Sequence, residues 1–86
     1  TDWKLEMVEL FKAGEITKAR KLLCGSVRPE EMEEIYRWLY DNIELFGDEE
    51  KQDQAVLIIK QGLVDHTLVV DPEINLAATL IRLARL

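Results

Sequence analysis

An all-α fold, a compact five-helix bundle built from helical hairpins, is what this chain of 86 residues predicts. Three observations point there. Apolar residues recur at spacings of three and four through almost every segment, two prolines and four glycines stand only at segment boundaries or singly inside them, and no stretch alternates with the period of a strand. A chain of 10.0 kDa with 48% hydrophobic and 33% charged residues holds one core and one domain, residues 1–86, and leaves little room for a deep substrate cavity beside that core.

The first helix is capped by Thr1 or Asp2, carries Trp3, Met7, Leu10 and Phe11 on one face, and ends at Gly14. The second runs from about Glu15 to Cys24, burying Ile16, Ala19, Leu22 and Leu23, and stops at Gly25-Ser26. So tight a turn between them predicts an antiparallel hairpin. Pro29 at the first position, followed by Glu30 and Glu31 at the positive end of the helix dipole, opens a third helix that reaches Gly47. Met32, Ile35, Tyr36, Leu39, Ile43 and Phe46 fall in one stripe of it, with Trp38 and Leu45 on the flank.

Asp48 caps a fourth helix extending to about Val70, and here the helical wheel gives two apolar faces. Ala55, Ile58, Ile59, Gly62, His66 and Val69 occupy one; Leu57, Val64 and Leu68 lie opposite, so this helix is expected at the centre of the bundle. Asp71-Pro72-Glu73 starts the last helix with a capping carboxylate, a proline and an acid in sequence. Leu76, Ala77, Leu80, Leu83 and Ala84 form its core stripe, Ile74, Ala78 and Ile81 widen the apolar arc past half the circumference, and Asn75, Thr79 and Arg82 make a polar strip.

Composition excludes several kinds of function. Seventeen acidic against eleven basic residues give a net charge of -6, and the cations are scattered apart from Lys18, Arg20 and Lys21, so direct nucleic-acid binding by this domain is not expected. No isolated glycine precedes a Lys-Ser or Lys-Thr pair, which removes a phosphate loop, and Gly47-Asp48-Glu49-Glu50 lacks the spaced oxygen ligands of a calcium site. One cysteine, Cys24, and one histidine, His66, form neither a disulfide nor a metal site of common spacing; Asp65 and His66, as helix neighbours, point about 100° apart. No catalytic residue, metal or cofactor is therefore expected. A single free thiol fits the cytoplasm, no apolar run is long enough for a membrane span, and an N-terminal Thr suits a processed chain or an excised domain.

The surplus apolar surface of the last two helices is the informative feature. Either the chain wraps these helices on both sides, or another protein covers them through Trp38, Leu45, Leu57, Val64, Ile74, Ala78 and Ile81.

Two segments carry a resemblance. Glu6-Met7-Val8-Glu9-Leu10-Phe11-Lys12-Ala13-Gly14-Glu15-Ile16-Thr17-Lys18-Ala19-Arg20-Lys21-Leu22-Leu23 resembles the opening of the C-terminal domain of clamp loader small subunits of the replication factor C type, where a helix, a short turn and an Ala-Arg-containing helix follow one another. The stretch from Gly62 to Ala84, with Asp71-Pro72-Glu73-Ile74-Asn75-Leu76-Ala77-Ala78-Thr79-Leu80 at its centre, looks like the family's closing pattern. The resemblance spans nearly the whole chain, and the short link from Gly25 to Pro29 is similar to phage-like members.

It implies a collar domain, a five-helix module that holds clamp loader subunits in a ring during DNA replication. ATP and Mg would belong to ATPase modules elsewhere in the parent protein, and the sliding clamp and primer-template DNA would be met through those modules. Other clamp loader subunits would be the partners, in the cytoplasm, or that of a host if the source is viral. A free-standing helical adaptor that binds a partner protein in a groove is the alternative reading.

Overall fold

The computed structural model describes residues 3–86, and five α-helices account for most of them, with no strand among the described residues. The helices are α1 (Trp3–Lys12), α2 (Ile16–Ser26), α3 (Pro29–Asp41), α4 (Glu49–His66) and α5 (Pro72–Ala84), with a 3-10 turn at Ile43–Phe46. The cap expected at Thr1 or Asp2 lies outside the described residues.

The helix starts rest on the anticipated chemistry. Asp48 accepts a hydrogen bond from the Lys51 backbone N–H at 3.0 Å, and Asp71 accepts from the N–H groups of Glu73 and Ile74 at 3.0 and 3.4 Å. Each bond satisfies a donor that the first helical turn leaves without an intrahelical partner. Pro29 and Pro72 sit in the first turns of α3 and α5, where a missing N–H removes no helical bond.

Three boundaries differ from the periodic reading. α3 stops at Asp41 and does not run on to Gly47: Asn42 turns its side chain back to donate to the Trp38 carbonyl at 2.9 Å, so a side-chain bond replaces the next turn of helix. The chain then tightens into the 3-10 turn, which lets Phe46 meet Phe11 with ring centroids 5.5 Å apart. Periodicity continues across the break because Leu39, Ile43 and Phe46 all face inward on either path. Gly47 follows at φ +123°, backbone that only glycine adopts without strain.

α4 ends at His66, four residues short of Val70. The Thr67 hydroxyl donates to the Val64 carbonyl at 2.8 Å, and the stretch to Val70 leaves the helix ahead of Asp71-Pro72, where sterics before proline disfavour helical backbone. α2, conversely, runs through Gly25 to Ser26. Its end is set by Val27, which turns into the core in extended backbone ahead of Arg28-Pro29.

α5 packs against α2, α3 and α4; α1 packs on α2, and α3 on α4. The shared core contains Met7, Phe11, Leu23, Met32, Ile35, Tyr36, Leu39, Ile59, Leu76, Leu80 and Leu83, each nearly or fully buried. Burial of a side chain of this size stabilises the fold by about 1.5–3 kcal/mol. The surface ion pair from Lys4 to Glu34, 3.0 Å, ties α1 to α3 and adds about 1 kcal/mol at most.

Candidate interaction surface

The surface is decided by how α4 and α5 meet. Gly62 lies at their contact, where a Cβ would stand 2.7 Å from Tyr36 Cε1 and 3.1 Å from Thr79 Cγ2. Removing the side chain lets α5 come close enough to hydrogen-bond across the gap. Asn75 Nδ2 donates to the Gly62 carbonyl at 2.9 Å and to the Tyr36 hydroxyl at 3.0 Å, while the Thr79 hydroxyl donates to the Asn75 carbonyl at 3.1 Å.

This network divides the polar strip of the last helix. Asn75 and Thr79 face the protein, with Thr79 2% exposed, while Arg82 stays exposed. A buried hydroxyl and amide are tolerated here because each donates to a protein oxygen. With Asn75, Leu76, Thr79 and Leu83 pointing inward, the side chains roughly opposite on the wheel, Ile74 and Ile81, must point out; they are 66% and 41% exposed, and Ala78 on the same arc is exposed too.

α4 follows the same logic. Ala55, Ile59 and Gly62 are buried, and Leu57 and Val64 on the far side are 69% and 43% exposed. The chain does not wrap α4 and α5 on both sides. Leu68 and Val70, in the connection between the two helices, are also exposed and add to the apolar surface.

Two of the seven candidate interface residues are accounted for within the fold, which corrects their assignment to a free surface. Trp38 is half-buried between Trp3 and Phe11, with ring centroids 6.1 and 5.8 Å away, and packs on the core. Leu45 is half-buried against the core from the 3-10 turn. Their positions on the flank of a continuous helix suggested exposure; the break at Asn42 and the arrival of α1 cover them. Leu57, Val64, Ile74, Ala78 and Ile81 remain exposed. Leu5 and Tyr40, 70% and 48% exposed, were not anticipated, although Leu5 falls off the spacing of Trp3, Met7, Leu10 and Phe11 and could have been found by that mismatch.

The titratable groups near α5 are held by packing. Burial pushes the Tyr36 phenol up, against the opposing pull of its hydrogen-bond partners Thr79 and Asn75. The Cys24 thiol is raised by burial first and the Glu73 charge second, with Arg20 opposing; its Sγ lies 3.9 Å from the Glu73 carbonyl oxygen. A thiol so placed is less ionised at neutral pH than a free cysteine. The His66 ring lies against Tyr36 at 5.7 Å, and its Nδ1 is buried without a hydrogen-bond partner. No group of three or more His, Cys, Asp or Glu side chains is placed to hold a metal among the described residues, and no helix there is long and apolar enough to cross a membrane.

Compared with known proteins, the chain matches no family model, no curated protein and no solved structure.

Proposed function

We propose that this domain is an oligomerisation module, the collar of a sliding-clamp loader subunit, that holds subunits together during DNA replication while separate ATPase modules do the chemistry. The observation that carries the reading is the outward apolar arc of α4 and α5: Leu57, Val64, Ile74, Ala78 and Ile81 stand in solvent while the polar Asn75 and Thr79 are used inside. Large apolar side chains left exposed on two neighbouring helices are candidates for cover by a partner, and standard interfaces bury about 1,600 Å² in total. The resemblance of residues 6–23 and 62–84 to the clamp loader collar supplies the identity of the neighbours, and the net charge of -6 suits a module that meets proteins and leaves DNA to other parts of the parent.

The test is assembly in the parent protein. Ile74→Glu combined with Ile81→Glu places charge on the arc without touching the buried network, so the domain should keep its helical circular dichroism and melting behaviour while sedimentation velocity reports loss of the subunit complex. A complex that forms normally with both substitutions present would remove α5 from the interface. Sequencing the surrounding reading frame gives a second check: an ATPase with a phosphate loop encoded immediately upstream is expected, and its absence would favour the free-standing adaptor.

A further inference from the structure

On the opposite flank of α5 from its contact with α4 lies a groove shared with α2, with a volume of about 340 Å³. Its apolar lining is Ile16 on α2 and Leu80, Ile81 and Ala84 on α5. A guanidinium stands on each wall, Arg20 from α2 and Arg85 just past the end of α5, and the Thr17 side chain completes the rim. In this chain of net charge -6, Arg28 and Arg37 hold carboxylates at 3.0 and 3.1 Å. Neither Arg20 nor Arg85 is in an ion pair among the described residues.

Helical spacing explains why the arginines converge. Ile16, Arg20 and Cys24 follow one another at intervals of four along α2, and Cys24 meets the Glu73 backbone at the start of α5, so α2 runs antiparallel along α5 with Ile16 and Arg20 beside the last turns. Arg85 then completes the groove from the other side. A planar guanidinium presents paired N–H donors that fit the two oxygens of a carboxylate, and two of them over an aliphatic floor select a ligand that is both anionic and apolar.

We propose that the α2–α5 groove is a docking site for an acidic segment of a partner protein, in which Asp or Glu side chains pair with Arg20 and Arg85 and an adjacent aliphatic or aromatic residue packs on Ile16, Ile81 and Ala84. Charge complementarity selects this occupant. A nucleic-acid backbone offers the anion without the apolar neighbour, and it would approach through the field of a domain carrying six excess negative charges. The site does not depend on the clamp loader reading; only Ile81 belongs to both surfaces.

The experiment is a selection of 12-residue random peptides, displayed on phage, against the immobilised 86-residue chain, followed by fluorescence anisotropy of fluorescein-labelled winners. Enriched peptides should carry Asp or Glu next to Leu, Ile or Phe. Their affinity should fall about tenfold with Arg20→Gln or Arg85→Gln and further with both, and should weaken as salt rises, while Lys60→Gln, away from the groove, leaves it unchanged. Arg85 is exposed and Arg20 half-buried, so Arg85→Gln keeps the test meaningful should Arg20→Gln disturb packing. The proposal is overturned if no peptide is enriched, if winners lack acidic residues, if the double substitution leaves their affinity intact, or if a 12-nucleotide single strand of DNA binds tighter than the peptides with the same dependence on the two arginines.

Discussion

Gly62→Ala isolates the contact on which the exposed arc depends. An added methyl group in the interior of α4 raises helix propensity, a gain of about 1 kcal/mol for Gly to Ala. The new Cβ, however, stands 2.7 Å from Tyr36 Cε1 and 3.1 Å from Thr79 Cγ2, closer than such atoms pack. Neither neighbour can swing away, because Tyr36 is fully buried and hydrogen-bonded by Asn75, and Thr79 is buried and bonded to the Asn75 carbonyl. Overpacking of this kind costs about 1–3 kcal/mol, and a forced separation of the helices also lengthens the Asn75 bond to the Gly62 carbonyl, for roughly 1 kcal/mol more. The net expectation is a loss of about 1–3 kcal/mol, a fall in Tm of roughly 4–24 °C for a domain of this size.

Gly25→Ala is the matched control: Gly25 is helical and a Cβ there meets nothing within 4 Å, so the propensity gain stands alone and Tm should rise by a few degrees. Adding Thr79→Ala to Gly62→Ala removes the threonine Oγ1 and Cγ2 atoms that the new methyl would meet, and the pair should be less destabilising than the sum of the single changes by at least about 0.5 kcal/mol. Thermal and urea melts followed at 222 nm measure all four variants. Gly62→Ala melting at or above the wild-type temperature would show that α4 and α5 do not meet as described, and the account of the outward apolar arc would go with it.

Asp71→Ala removes the acceptor of two first-turn N–H groups of α5 and should cost about 1 kcal/mol, read as a lower urea midpoint with an unchanged slope. Gly47→Ala forces φ +123° on a residue with a Cβ and brings that atom to 3.0 Å from Lys51 Cδ; a loss of about 1–3 kcal/mol is expected in the same melts. Cys24, its thiol raised chiefly by burial, should react with a disulfide reagent at pH 8 more slowly than free cysteine, and an equal or faster rate would contradict the packing described. The Arg28 hydrogen bond holds the Glu31 carboxyl below its usual value, so the stabilisation from this pair is present above the ordinary carboxylate range and is lost as pH falls through the lowered value. Carboxyl NMR titration should show the Glu31 pKa moving up in Arg28→Gln; no movement would deny the pair a role in solution.

Local chemistry made the five helices legible. Capping by Asp48 and Asp71, the prolines at residues 29 and 72, and apolar spacing act within a turn or two of chain and can be read from neighbours in sequence. The inward residues Met32, Ile35, Tyr36 and Leu39, and the outward Leu57, Val64, Ile74 and Ile81, follow from the same spacing. Where the spacing misled, a side-chain bond to the backbone prevailed: Asn42 on the Trp38 carbonyl ended α3, and Thr67 on the Val64 carbonyl closed α4.

What the sequence determined by itself, then, is where helices begin and which faces are apolar, because caps and periodicity are properties of adjacent residues. Only the tertiary structure decided that Asn75 and Thr79 face inward against Gly62 and Tyr36, that Trp38 is taken up by Trp3 and Phe11, and that Arg20 and Arg85 share one groove. Those outcomes depend on which helices meet and how closely. A glycine's missing side chain on one helix gives no sign in the sequence of the amide on another that will bond across the space it leaves.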